Sequence, residues 1–269
     1  MDSYRIAILG AGNVATHIAR HLHFKGHRLC AVWSPTEAHS RRLVEELVAG
    51  CPSEPGGGLL ATADLNELPG DADFYIMTLA DRAVSEVLAA LPECGGIWLH
   101  TAGALPMEVF EAYRDAFGVL YPLQSMSREV AIDMETVPFL VEGSSPEVAE
   151  KIVQLAGSLS NRVRLSNWSQ RLRIHLAAVF ANNFSNHMLH IAKELCSREG
   201  LDPEWLVPLL EETFRKAVSV GPAAAQTGPA LRDDRETMEK HLALLKDDSE
   251  WAKLYTFISR DIAAMAKRK

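Results

Sequence analysis

Two groups of residues in this chain have the types and spacing needed for chemistry. The first is Gly10-Ala11-Gly12-Asn13-Val14-Ala15, of the form G-x-G-x-x-A, directly behind the apolar run Ile6-Ala7-Ile8-Leu9. Gly10 allows a tight turn, Gly12 lets backbone approach a pyrophosphate, and Ala15 lets a helix pack closely on its strand. The helix opening there offers free N–H groups and a partial positive charge to phosphates. The bland reading is a turn that binds nothing. A place at the first strand–helix junction of an alternating chain points instead to a dinucleotide.

The second group is a neutral polar stripe formed by His175, Asn182 and Asn186 with Lys193, flanked by Asn183 and His190. On a continuous helix the stripe lies opposite Ala177, Phe180, Ala181, Phe184, Met188, Ile191 and Leu195, which are expected to form core. Asparagine costs a helix roughly half a kcal/mol relative to alanine, so something other than helix stability accounts for three in five residues. Amides and imidazoles suit a cleft that hydrogen-bonds a carbonyl, carboxamide or carboxylate, and a buried interdomain or dimer network is the alternative. In the first reading His175 is the leading acid–base candidate, and Asn182, Asn183 and Asn186 orient the substrate.

Smaller signals surround these two. The second strand ends in Val32-Trp33-Ser34-Pro35, where an NAD site would carry a carboxylate for the ribose. Ser34 removes that charge, and Arg41 and Arg42 either meet a 2′-phosphate or are ordinary surface residues. The expected cofactor is therefore NADP, with NAD the alternative. Leu79 and Ala80 follow a third strand, with Asp81 expected to cap the next helix. Thr101 and Ala102 follow a fourth, near where a nicotinamide would lie. His100 beside them is either a proton donor or a hydrogen-bonded strand-end histidine. The pairs His17/His21 and His187/His190 lack the carboxylate or cysteine company of a zinc site, so no metal is expected. Residues 226–234 form a turn-rich connection, with Asp233 and Glu236 spaced as a helix cap. Arg232 there is either an anion partner on a closing loop or part of a plain interhelical link.

These residues need elements to hold them. Strand signals at residues 4–9, 29–33, 73–78 and 97–100 alternate with helical stretches at 13–24, 40–48 and 81–91, the pattern of a parallel sheet with right-handed crossovers. Pieces at 118–121, 137–142 and 162–165 extend the sheet, with Ser145-Pro146 opening a helix between the last two. Helical periodicity then holds over 169–198, 203–219 and 234–265. The fold class is α/β: a Rossmann-type, largely parallel sheet over residues 1–166, followed by an all-α domain over 167–269.

Composition limits the classes available. The chain has 269 residues, 48% hydrophobic and 23% charged, enough for a sizeable core. A formal charge of -8 argues against a general nucleic-acid or anionic-membrane surface. The basic end, residues 267–269, reads as a solvated tail. Cys30, Cys51, Cys94 and Cys196 have no paired spacing, which suits a reducing compartment. The opening residues run straight into a strand, and the apolar stretches are short of a membrane span. The expectation is a soluble cytoplasmic protein acting on a small molecule.

Several segments together carry a resemblance. They are the fingerprint, His100-Thr101-Ala102-Gly103-Ala104, Tyr121-Pro122-Leu123-Gln124-Ser125, residues 138–143, the stripe over 175–187, and residues 226–234. In this order, over nearly the whole chain, they resemble a bacterial NADP oxidoreductase family that pairs a Rossmann-like domain with a C-terminal domain of unknown function. More distantly the layout is similar to pyrroline-5-carboxylate reductases and deazaflavin-linked NADP reductases. The resemblance implies an N-terminal dinucleotide domain, a helical C-terminal domain that forms a homodimer, and an active site between them. The working reading of the residues is hydride transfer between NADP(H) and a small carbonyl, imine or hydroxy acid. Family members often have arginine at Pro35, serine at Ala102 and glycine at Asp233, so Arg41 or Arg42 must supply the missing charge here. A non-catalytic dinucleotide sensor has the same fingerprint, and the polar stripe favours the enzyme.

Overall fold

The computed structural model describes residues 3–50 and 58–267. Cys51, the Pro/Gly-rich residues 52–57, and Arg268 and Lys269 of the basic tail lie outside the described residues. The chain divides into two compact units, residues 1–187 and 188–269.

The first unit is built on an eight-stranded sheet in the order β3-β2-β1-β4-β5-β6-β7-β8. Its strands are β1 (Arg5–Leu9), β2 (Arg28–Trp33), β3 (Leu60–Thr62), β4 (Phe74–Met77), β5 (Ile97–His100), β6 (Phe117–Pro122), β7 (Phe139–Gly143) and β8 (Val163–Leu165). Every pairing is parallel except β6 with β7. The central strands read as continuous apolar runs because both faces are covered. Ile6, Ile8, Phe74 and Ile76 pack on one side with Ile18 and Leu22 of α1 (Asn13–Phe24), Leu43 of α2 (Glu37–Gly50) and Leu155 of α4 (Pro146–Leu159). Ala7, Leu9, Tyr75 and Met77 face the other side, with Val84 and Leu88 of α3 (Asp81–Ala90) and with Phe110.

Register aligns the strand ends that matter. Leu9 pairs with Trp33 and Met77, and Met77 pairs with His100, so the loops after β1, β2, β4 and β5 leave the sheet at one level. Backbone bonds fasten that edge: Gly10 N–H to the Trp33 carbonyl (2.7 Å), Thr78 N–H to Leu9 (2.8 Å) and Thr101 N–H to Met77 (3.2 Å).

After β8 the chain is helical. In the first unit, α5 (Trp168–Ala178) starts at a capping box in which Asn167 and Gln170 satisfy each other's backbone N–H groups. The single helix expected over 169–198 is interrupted by a π-helical turn, Val179–Phe184, before α6 (Ser185–Arg198). The weak helix formers Asn182 and Asn183 sit in that turn, and the rings of Phe180 and Phe184 pack edge to face at 4.9 Å. The face expected to be core is not core within the chain: Phe180 is 62% and Phe184 49% exposed.

The second unit holds the rest of α6 together with α7 (Val207–Val220), the short α8 (Pro222–Ala225), α9 (Arg235–Leu244) and α10 (Ser249–Lys267). The helix expected over 234–265 is therefore two. Asp247 and Asp248 fall just past the first, where carboxylates oppose the helix dipole, and just ahead of the second, where they favour it. The expected cap is also displaced by one residue. Asp234, not Asp233, accepts from the Thr237 N–H (3.1 Å), while Asp233 takes a left-handed φ of 52°. That is a backbone conformation glycine adopts without strain and most other residues avoid. Likewise Asp81 is the first residue of α3 rather than its cap, a place taken by Ala80 without a side-chain bond.

Candidate active site

At the carboxyl edge of the sheet a cavity of about 420 Å³ opens over the fingerprint. Gly10 has φ of 120°, and a Cβ there would lie 2.9 Å from the Thr78 carbonyl oxygen and closer still to the Thr78 hydroxyl. Only glycine fits. At Gly12 a Cβ would instead meet nothing within 4 Å, because it would point into open space. The helix that follows has no side-chain cap and no acid in its first turn, and its first intrahelical bond runs from Thr16 N–H to the Gly12 carbonyl. The preceding N–H groups are thus available to an anion. Glycine where a side chain would obstruct, plus an uncapped positive helix end, fits a dinucleotide pyrophosphate.

Of the residues assigned to the cofactor from sequence, Gly10, Ala11, Gly12, Asn13, Ser34, Arg42, Leu79 and Ala80 line this cavity. Val14, Arg41, Thr101 and Ala102 do not. Val14 packs against the sheet core instead. Arg41 turns away to chelate the Glu37 carboxylate through Nε (3.1 Å) and Nη2 (2.7 Å). Arg42 borders the cavity while also donating to Glu46 (3.0 Å). Pro35, Thr78, His39, Arg128 and Glu129 complete the lining; Thr78 belongs to the loop expected to border the cofactor, whereas His39, Arg128 and Glu129 were not legible from the motif. His39 lies two residues ahead of Arg41 on α2, and Arg128 arrives from a distant loop.

Farther along the same edge, the loop after β5 meets α5. His175 Nδ1 and the Tyr121 hydroxyl share a hydrogen bond of 3.0 Å, with the rings edge to face. Both rest on Gly103, where a Cβ would come within 2.5 Å of His175 Nδ1 and 3.1 Å of Tyr121 Cζ. Burial pushes the Tyr121 phenol up, against the opposing charge of Arg171. In the sequence Tyr121 stands out only as part of the segment at residues 121–125, and nothing in its neighbourhood announces a histidine partner 54 residues away.

Below this pair the loop is clamped. Trp168 Nε1 donates to the Ala104 carbonyl (3.0 Å), and Arg171 Nη2 donates to Leu105 (2.6 Å). Arg171 is fully buried, and its Nη1 donates to Glu142 on β7. His100 is buried beneath the same loop, with Nδ1 accepting from the Ala102 N–H (3.2 Å) and its ring stacked on Phe110. Among the described residues its Nε2 makes no hydrogen bond of ordinary geometry. Burial, reinforced by the Arg171 charge and opposed by the Pro106 carbonyl, pushes its pKa down to about 3. His100 therefore stands as a neutral support under the loop.

Asn182, Asn183 and Asn186 are exposed on the π turn and the start of α6. His17 and His21 donate to the backbone carbonyls of Ser127 and His17, each at 2.8 Å. Among the described residues no helix is long and apolar enough to cross a membrane.

Residues 5–95 match a family described as NADP oxidoreductase coenzyme F420-dependent, and residues 137–262 match one described as a domain of unknown function, DUF2520. A solved Bacteroides fragilis protein, named a putative NADP oxidoreductase, is 37% identical; the alignment covers 97% of this chain and 98% of that one, with a TM-score of 0.90. Thermotoga maritima protein TM1727 shares the fold at 21% identity and a TM-score of 0.78, over 97% of this chain and 99% of its own. Among curated proteins, the glycerol-3-phosphate dehydrogenase (NAD(P)+) of Thioalkalivibrio sulfidiphilus is 25% identical over 251 residues, 83% of this chain and 69% of that protein.

Proposed function

The chain belongs to the oxidoreductase family that joins an NADP oxidoreductase coenzyme F420-dependent domain to a DUF2520 domain, and we propose that it transfers hydride between NADP(H) and a small carbonyl, imine or hydroxy acid. The observation that carries this reading is the Tyr121–His175 pair seated on Gly103, on the sheet edge that also holds the fingerprint cavity. When bound, the nicotinamide supplies or accepts the hydride. The chain's own task is to bind, orient and move a proton.

Gly10, Gly12 and the N-terminus of α1 hold the pyrophosphate. Ser34, His39 and Arg42 hold the 2′-phosphate, with Arg42 and His39 in place of the family arginine lost at Pro35. His175 is the acid–base residue: with Nδ1–H donating to the Tyr121 oxygen, Nε2 takes a proton from a hydroxyl or, when charged, gives one to a carbonyl or imine. The exposed amides of Asn182, Asn183 and Asn186 serve the substrate.

The helical region works as a homodimer in this reading. Among the described residues of the second unit only Ala230 and Leu245 are buried hydrophobics, whereas Trp205 is 73% and Val218 88% exposed. An apolar surface of that extent needs a cover, and a second copy supplies a matching one. Sedimentation giving a single chain mass would sink this part.

The test of the whole is a thermal titration with NADP(H) and NAD(H) separately, followed by a screen of carbonyl, imine and hydroxy-acid substrates. Ligand at about a hundred times Kd adds about 2.7 kcal/mol. A shift larger with NADP(H) is expected, and no shift with either dinucleotide removes the enzyme reading. With a substrate in hand, His175→Asn should slow the chemical step and leave cofactor affinity intact. Full activity in that variant removes His175 from the mechanism.

A further inference from the structure

The loop between β6 and β7 returns over the amino end of α1. Its Ser127 carbonyl accepts from His17 Nε2 (2.8 Å), which anchors the loop on the helix carrying the fingerprint. The next residue, Arg128, then reaches into the turn itself. Its Nη2 donates to the Ala11 carbonyl (2.7 Å) and to the Thr16 hydroxyl (3.0 Å), and its Nε donates to the same hydroxyl (3.2 Å). Thr16 in turn donates to the Gly12 carbonyl (2.9 Å).

All these acceptors are neutral. Arg128 is half-buried and borders the cavity, yet makes no ion pair among the described residues, and its Nη1 donates to none of them. Two other arginines of this unit have carboxylate partners, the buried Arg171 with Glu142 and the half-buried Arg5 with Asp71. Arg114, which has none among the described residues, lies over the Trp98 ring and donates to the Tyr113 and Pro92 carbonyls. Glu129 lines the same cavity but is exposed, where solvent screens its charge.

We infer that Arg128 is a pyrophosphate-binding residue of the dinucleotide site, its missing counter-charge being the two phosphates. This rests on the cofactor reading above and adds to it a residue from outside the fingerprint. Two physical effects combine. The guanidinium covers the Ala11 carbonyl, an oxygen that would otherwise repel a phosphate arriving at Gly12. Its remaining N–H groups offer charge-assisted hydrogen bonds to phosphate oxygens, for which the planar fork is well shaped.

The rival role is a strut that pins the loop to α1, and Arg128→Gln separates the two. Glutamine keeps a donor for the Ala11 carbonyl and discards the charge. NADPH and NADH affinities would be measured by nicotinamide fluorescence over a range of salt, beside the thermal midpoint of the free protein.

A charge-assisted bond to phosphate is worth about 10- to 100-fold in Kd. Arg128→Gln should weaken NADPH and NADH by the same factor in that range, and flatten the salt dependence. Arg128→Lys should recover part of the loss. The affinity of 2′-AMP, which has no pyrophosphate, should stay put in Arg128→Gln and fall in Arg42→Gln. Binding of both dinucleotides within twofold of wild type would overturn the inference. So would a loss confined to NADPH, or a loss matched by a lowered midpoint of the free protein and not relieved by Arg128→Lys. A wild-type chain that binds neither dinucleotide overturns the cofactor reading itself, and this inference with it.

Discussion

Replacing Glu142 by glutamine should be among the most damaging single-atom changes available in the first unit. Arg171 is wholly inaccessible, and its partner's side chain is 12% exposed. Glu142 Oε2 accepts from Arg171 Nη1, while Oε1 accepts from the Trp168 N–H at 3.1 Å. Glutamine has one carbonyl oxygen, so its NH₂ must face either the guanidinium or the amide, donor against donor. The charge of Arg171 is then left in a dry site, where removing one partner of a buried pair costs about 3–5 kcal/mol. Because Glu142 retains some solvent contact, the lower end applies. At about 2–4 °C per kcal/mol for a protein of this size, the midpoint should fall by about 6–12 °C. Urea denaturation and calorimetry of Glu142→Gln would measure it, with Glu37→Gln as the internal reference. Glu37 pairs with Arg41 on the surface, and losing that pair should cost no more than about 0.5 kcal/mol. The double variant Glu142→Met with Arg171→Met removes both charges and should recover much of the loss. A cost below about 1 kcal/mol for Glu142→Gln, or a double variant as unstable as the sum of its parts, would refute the account of this pair.

Two further outcomes follow from the same region. In Gly103→Ala the new methyl would lie 2.5 Å from His175 Nδ1, so the imidazole must move off the Tyr121 hydroxyl. Such overpacking costs about 1–3 kcal/mol, and an unchanged midpoint and unchanged His175 nitrogen NMR shifts would rule out the close packing. Stability should also depend on pH through His100, whose folded pKa near 3 lies below the ordinary 6.5. Between those values the unfolded chain binds a proton that the native one refuses, so stability is full above pH 6.5 and falls as the pH drops, by about 1.4 kcal/mol per pH unit. Burial of His27 acts in the same direction. Unfolding at pH 7 and pH 5 would test this, and a His100→Gln variant with an undiminished slope would clear His100 of responsibility.

Local rules sufficed wherever the deciding interaction lay within a few residues. The apolar runs of β1 and β4, the turn at Gly10 and Gly12, the Ser145-Pro146 helix start and the absence of a carboxylate at Ser34 are all properties of short segments, and the fold class follows from their alternation. Element ends were less legible. The cap expected at Asp233 falls instead on the adjacent Asp234, which accepts from the Thr237 N–H, and the helix expected over 234–265 breaks ahead of Ser249. The π turn at Val179–Phe184 has a local trace in Asn182-Asn183, but helical periodicity alone did not reveal it.

The tertiary structure decided which side chains meet. Tyr121 and His175 come together because β6 ends beside the loop that Trp168 and Arg171 pin down, and only glycine at position 103 leaves room. His100 passes from candidate proton donor to buried support because a strand-end residue can face the core as readily as the cleft. Arg41 and Arg42 are adjacent in sequence, yet their directions on α2 turn one to Glu37 and the other toward the cavity. Arg128 joins the fingerprint across 117 residues. A sequence fixes backbone preference and periodicity through near neighbours, whereas the direction of a long side chain and the sign of the field around it depend on groups brought close only by folding.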